Sequence, residues 1–235
     1  MKQVVPILIA ALIGFTAGYI LNSSKGSNNS SSDSVQDDQI AKLQKELKES
    51  EARAGKVDTI KEQSAKIIEA AIRNAAGKST GELTEADYEK VTELDFYRNQ
   101  LTYLKGLEKL TKLETLKLHA NHLTDVKGLE KLTQLTELAL AYNNLPEVPK
   151  ELEKLTQLTV LHLRNCGLTS VKGLENLTQL TLLHLFRNQL TSVKGLEKLT
   201  KLEFLDLRDN PDLTKAQIDQ LQKALPKCHI RSDFE

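Results

Sequence analysis

The sequence predicts an α/β solenoid in which short parallel strands stack into one curved sheet, closed by helical caps and preceded by a helical spacer and a single amino-terminal membrane helix. Three observations predict it. Val91, Leu113, Leu135, Leu158, Leu180 and Leu202 return at intervals of 22, 22, 23, 22 and 22 residues, a period that marks stacked supersecondary units. Leucine dominates while aromatics make up 4% of the chain, so one aliphatic side chain fills equivalent slots repeatedly. Residues 4–21 form an uncharged apolar run behind Lys2, just long enough to cross a bilayer as a helix.

Composition narrows the function classes. A chain of 235 residues with 40% hydrophobic content can bury a sizeable core. Lys plus Arg and Asp plus Glu are equal at 32 each, which removes the clustered cationic excess that phosphate binding needs, so no nucleic-acid partner is expected. The two cysteines, Cys166 and Cys228, are more than two repeats apart. Neighbouring turns of such a stack lie about 5 Å apart, which puts the pair beyond disulfide reach and leaves the redox compartment open.

At the amino end, residues 1–21 read as a membrane anchor or a signal segment. Thr16-Ala17-Gly18 is a poor cleavage site and the apolar run continues through Tyr19, Ile20 and Leu21, which favours an uncleaved anchor; secretion after cleavage is the other reading. The positive amino end predicts that the repeats lie on the periplasmic or extracellular side. Ala10, Gly14 and Gly18 recur every fourth residue, a smooth face for helix pairing, although glycine is common in membrane helices anyway.

Residues 22–34 are too polar to bury anything and read as a disordered tether. In 35–63, Ile40, Leu43, Leu47, Ala54, Val57 and Ile60 fall at helical spacing, weakened by Gly55 and with the apolar seam interrupted by Ser50 and Ser64. This predicts a spacer helix, with weak homodimerisation through it or the membrane helix as the alternative. Residues 64–90 read as an amino-terminal cap: Ile67, Ile68, Ala71, Ile72 and Ala75 make a broader apolar face, and Thr84 with Asp87 starts a short helix. Gly77-Lys78-Ser79-Thr80 mimics the tail of a phosphate loop, but Ile72 stands where that loop needs glycine, and a helix-ending glycine explains it better.

The six repeats occupy 91–213. LETLKLHANHL from Leu113, LTVLHLRNCGL from Leu158 and LTLLHLFRNQL from Leu180 resemble the leucine-rich-repeat pattern L-x-x-L-x-L-x-x-N/C-x-L, and the repeat length is similar to that of bacterial internalins. The resemblance implies a right-handed solenoid and a ladder of buried asparagines at Asn99, Asn121, Asn143, Asn188 and Asn210, with Cys166 on the fourth rung as a structural thiol. In the second repeat Leu113, Leu116, Leu118, Leu123, Val126, Leu129 and Leu132 are expected to point inward, each contributing roughly 1.5–3 kcal/mol gross, enough only collectively against chain entropy. The backs of the repeats are nearly constant (LKGLEKLTKL, VKGLEKLTQL, VKGLENLTQL, VKGLEKLTKL), with glycine permitting the turn and Glu and Lys expected to face water. The third repeat departs with Pro146, Pro149 and one added residue. Residues 214–235 read as the carboxy-terminal cap, with a helix from Thr214.

Function is expected where the repeats differ, at the outward strand positions of the concave face. There Val160, Leu182, Phe204 and Phe186 would form an exposed apolar patch beside Arg164, Arg187 and Arg208, the mixture that binding hot spots favour. His162 and His184 would be neighbours with Asp206 next in line; these could hold zinc or iron, but an open sheet closes poorly around a metal. The sequence thus points to a non-enzymatic scaffold with no cofactor, binding a protein through Val160, His162, Arg164, Leu182, His184, Phe186, Arg187, Phe204 and Arg208. A surface-glycan module centred on Tyr97 and Tyr142 is the alternative, and a metal-dependent enzyme a more distant one.

Overall fold

The computed structural model describes residues 32–234. The apolar segment 4–21 and most of the linker 22–34 lie outside them. Among the described residues no helix is long and apolar enough to cross a membrane. The chain divides into two compact units, 1–60 and 61–235. Helix α1 (Ser32–Ala76) runs unbroken through Gly55, and in the first unit its Leu43, Val57 and Ile60 are exposed.

Within the second unit the end of α1 caps the stack. Ile68 and Ile72 are buried with the leucines of the first repeat, and the Ser64 hydroxyl accepts the Thr102 N–H at 3.2 Å. Ala75, which helical spacing placed on the same face, is exposed. Gly77 ends the helix at φ +68, a left-handed turn that costs glycine nothing. Helix α2 (Glu85–Tyr88) follows. Its buried Asp87 carboxylate accepts the Lys78 ammonium at 2.7 Å, the Thr84 N–H at 3.0 Å and the Lys90 ammonium at 3.2 Å, and these contacts, Lys78 foremost, hold it well below the usual carboxylate range.

The sheet has seven parallel strands in sequence order: β1 (Glu93–Asp95), β2 (Thr115–Lys117), β3 (Glu137–Ala139), β4 (Val160–His162), β5 (Leu182–His184), β6 (Phe204–Asp206) and β7 (His229–Arg231). Their central residues, Leu94, Leu116, Leu138, Leu161, Leu183 and Leu205, stack in register with Ile230 last. The repeat period foretells six of these strands. The seventh escapes it because Ile230 follows its partner Leu205 by 25 positions, with helix α3 (Lys215–Ala224) between them. Thr214 caps that helix, its hydroxyl accepting the Gln217 N–H at 3.3 Å.

Two features of each turn hold the stack. The expectation that the back glutamates merely face water needs correction: Glu108, Glu130, Glu175 and Glu197 each fold back to accept the N–H of the glycine two residues earlier, at 2.6–2.7 Å. Those glycines sit at φ +100 to +107, where a β-carbon is strained, so the carboxylate satisfies a backbone group that the turn leaves outside any ladder. Glu175 is accordingly shifted below its ordinary value by its backbone hydrogen bonds.

The second feature is the asparagine ladder. The Asn188 carbonyl accepts the Cys166 and Leu168 N–H groups at 3.1 Å each, while its amide donates to the carbonyls of Leu163 (2.9 Å) and Leu185 (2.8 Å). Asn121, Asn143 and Asn210 bridge adjacent turns in the same way. Asn99 does not: with no repeat before it, its amide donates only to the Tyr97 carbonyl two residues back. Cys166 donates its thiol to the Leu140 carbonyl at 3.4 Å, but its side chain has no carbonyl to offer in return. The Leu145 N–H, which an asparagine would accept, instead bonds the backbone carbonyl of Cys166 at 2.9 Å. Gly167 in the left-handed region, φ +80, lets the chain turn that carbonyl inward. Burial pushes the Cys166 thiol up to about 11, consistent with an inert packing role.

Candidate functional site

The sheet face turned away from the leucines carries two columns within the strands and a third just past them (Tyr97, His119, Ala141, Arg164, Phe186 and Arg208) by simple alternation, and one further position per repeat by a different device. Alternation sets Glu93, Thr115, Glu137, Val160, Leu182 and Phe204 in one line, and Asp95, Lys117, Ala139, His162, His184 and Asp206 in the next. At the strand exits Arg98, Ala120, Tyr142, Asn165, Arg187 and Asp209 all adopt φ between +51 and +59. A left-handed residue there costs roughly 1–2 kcal/mol. It breaks the alternation and leaves Arg187 and Tyr142 exposed at the rim.

The residues expected to bind do come together in the carboxy-terminal half. Val160, Leu182 and Phe204 are direct partners across β4, β5 and β6. A line of rings crosses the same strands: His162 to His184 at 4.8 Å, His184 to Phe204 at 5.4 Å, and Phe204 to His229 at 5.7 Å between centroids. His229 belongs to β7 and has no signal in the repeat pattern. Phe186 sits under three guanidinium groups, Arg164 at 4.6 Å, Arg208 at 5.2 Å and Arg187 at 5.7 Å. The patch is less open than alternation predicts. Val160, Leu182, Phe186 and Phe204 are half-buried, not fully exposed, because the rings and guanidiniums cover one another.

Electrostatics differ along the face. Burial, then His184 and His119 beside it, push the His162 imidazole down to about 4, so it is neutral at pH 7. His184 is also lowered, by burial and the nearby Arg164 and Arg208 against the opposing pull of Asp206. Asp206 is pushed up by burial, but hydrogen bonds from the Arg208 side chain and backbone outweigh that and hold it below its ordinary value. The bidentate Arg208–Asp206 pair, 2.9 and 2.6 Å, engages the carboxylate that a metal beside His162 and His184 would need. Among the described residues no three His, Cys, Asp or Glu side chains gather to hold a metal ion. In the amino-terminal half Lys117 pairs with Glu93 at 2.8 Å, and Tyr97 stacks on His119 at 4.7 Å. Tyr97 and Tyr142 are the large aromatics left most open on this side, 47% and 40% exposed.

The leucine-rich-repeat family matches over residues 89–131 and 178–223. An internalin C2 from Listeria monocytogenes is 30% identical, superposes with a TM-score of 0.65, and is matched over 69% of this chain and 71% of its own. The chain belongs to the bacterial internalin-like leucine-rich-repeat family. A leucine-rich-repeat protein of Leptospira interrogans is 34% identical with a TM-score of 0.57, matched over 61% of this chain and 38% of its own. An internalin (InlF) of L. monocytogenes, 24% identical, shares the fold with a TM-score of 0.56 over 69% of this chain. This internalin-like chain spans about half of InlF, 54%, and well under half of the Leptospira protein. No curated protein matches the sequence.

Proposed function

We propose that this internalin-like chain is a protein-binding scaffold that engages its partner through the open, concave side of the sheet, at Val160, His162, Arg164, Leu182, His184, Phe186, Arg187, Phe204 and Arg208. The observation that carries the reading is the gathering of three arginines on Phe186, with Phe204 packed on His184, on the open face of the sheet. Stacked rings and guanidiniums are already ordered, so they lose little side-chain freedom on binding, and this composition dominates measured hot spots. Residues 4–21 hold the scaffold at the envelope with the repeats outside, 22–34 tether it, 35–63 form a spacer, and 64–90 and 214–235 close the ends of the solenoid.

The test places a photo-crosslinking residue at Leu182 on the open face and, in a second version, at Lys172 on the back of the stack, in cells that make the protein. A discrete protein adduct from Leu182, lost in the Phe186→Ala/Phe204→Glu double variant with the melting curve unchanged, is the expected result. Adducts from Lys172 alone would overturn it. Exposure of Tyr97 and Tyr142 favours one second reading, a glycan platform. Binding to a glycan array that falls with Tyr97→Ala and ignores the double variant would select that reading.

A further inference from the structure

In the middle of the open face, the third repeat carries two small outward residues, Ala139 at the end of β3 and Ala141 just past it, where the neighbouring repeats place Lys117 and His119 on one side and His162 and Arg164 on the other. The missing side chains leave a hollow of about 260 Å³ between Lys117, Glu137, Tyr142, His162 and Arg164, the size of one large side chain. Both alanines are nearly buried, at 5% and 8% exposure, so they form a floor and the charged groups form the wall.

Arg164 is the unusual member of that wall. Its guanidinium lies between two rings, 5.1 Å from the centre of Tyr142 and 4.6 Å from that of Phe186, which fixes its plane. Its Nε is buried and has no hydrogen-bond partner. The neighbouring cations are matched: Lys117 with Glu93, Arg187 with Asp209 and Arg208 with Asp206. Among the described residues Arg164 has no such carboxylate. Glu137, also at the hollow, faces Lys117, whose charge it helps to stabilise. Nε is closed off, so the two outer nitrogens of this flat, partly desolvated guanidinium are the donors left to receive a planar anion at two points.

We propose that the hollow over Ala139 and Ala141 receives an acidic side chain, Glu or Asp, from the protein partner, and that Arg164 is the group that pairs with its carboxylate. This rests on the open face being the binding surface. The aliphatic stem of the incoming residue covers the alanine floor, and the neutral His162 ring adds a wall without a competing charge. Arg164 therefore sets which residue of the partner is selected, while Phe186 and Phe204 supply apolar contact around it.

The probe is a random dodecapeptide phage library panned against the full chain in detergent micelles, with enriched peptides remade and their affinities measured by fluorescence anisotropy. The expected peptides share one Glu or Asp. Changing it to Gln or Asn, or changing Arg164→Gln or Ala139→Leu in the protein, each weakens binding about 30-fold, and the peptide change costs nothing further in Arg164→Gln, the coupling of a desolvated charge pair. Ala139→Leu keeps Arg164 and fills the hollow, and the peptide replacement alters no residue of the fold, so a destabilised Arg164→Gln does not blunt the test. Peptides that need Phe186 and Phe204 but carry no acidic residue coupled to Arg164 would overturn the carboxylate pocket and leave the scaffold reading standing. Peptides indifferent to every open-face substitution would overturn both.

Discussion

The two sides of each strand obey different rules although they share one backbone. Facing inward, one position reads Leu94, Leu116, Leu138, Leu161, Leu183 and Leu205, the same residue six times over. Facing outward, the residue just before it reads Glu93, Thr115, Glu137, Val160, Leu182 and Phe204. Close packing leaves no latitude on the first side, because each leucine fills a slot whose walls are the leucines above and below it. Nothing of the kind constrains the second, so chemistry can vary there without unstacking the turns.

The largest expected effect breaks this comparison at adjacent residues. Leu183 is wholly buried, and Leu183→Asp removes a packed side chain and buries a charge, for a loss of about 5 kcal/mol or more. The damage spreads to neighbouring turns because each turn is stable only on its neighbours. Leu182→Asp, one residue away and half-buried on the other side, should cost about 1 kcal/mol. Urea unfolding followed by circular dichroism measures both; equal losses would show that the outward side is as constrained as the inward one.

Next in size is a polar slot on the inward side. Asn188→Ala strands the N–H groups of Cys166 and Leu168 and the carbonyl of Leu163, all three now bonded to one amide, while the Leu185 carbonyl keeps the Asn210 amide as its donor. With a buried unpaired backbone group costing about 1–3 kcal/mol, a loss of about 3 kcal/mol is expected in the same unfolding experiment. Asn99→Ala, whose amide reaches only its own turn, should cost well under half as much. A similar loss at both would mean that bridging successive turns is not what the ladder contributes.

The inward side was legible in the sequence because repetition is a signal that needs no homologue: a slot of fixed volume demands the same residue every 22 positions. The outward columns were legible too, since the same period aligns Val160, Leu182 and Phe204. Contacts made by chance of neighbourhood were not. Nothing in LKGLEKL says that Glu108 turns back onto Gly106, because water and a backbone N–H are equally good partners for an exposed carboxylate on paper. Strand β7 stayed hidden because the helix before it interrupts the period. The hollow over Ala139 and Ala141 stayed hidden because an alanine in a variable column reads as ordinary variation until its neighbours are seen to wall it in. The guanidinium cluster on Phe186 lowered the exposure of a patch that alternation alone would leave open.

Acid separates the two sides differently. On the outward side His162 is held neutral, its imidazole at about 4 against an ordinary 6.5. Between those values the unfolded chain takes up a proton that the folded chain refuses, so stability falls as pH drops from 6.5 towards 4 and levels off below. His184, also lowered, adds in the same direction. Asp206, held below 3.8, loses its contribution only at lower pH and stays outside this window. Differential scanning calorimetry between pH 7.5 and 4.5 should show a falling Tm in the wild type and a shallower fall in His162→Gln. An unchanged slope in the variant would place the acid-sensitive group elsewhere.

The smallest expected effect lies at Cys166, where the inward side tolerates a substitution. The added residue of the third repeat shifts the turn, and the Leu145 N–H already has the Cys166 backbone carbonyl as its acceptor. The side chain on this rung therefore has no donor left to satisfy; what remains are weak thiol contacts to the Leu140 and Arg164 carbonyls and the volume of the sulfur. Cys166→Ala should cost about 1 kcal/mol, far less than Asn188→Ala on the next rung. Cys166→Asn, which restores the repeat consensus, should gain nothing, because its new carbonyl oxygen would be buried facing a donor already taken. A variant with asparagine that is more stable than the wild type would show that the cysteine is a defect in the ladder and that the Gly167 turn follows from it, instead of the turn having removed the need for an amide.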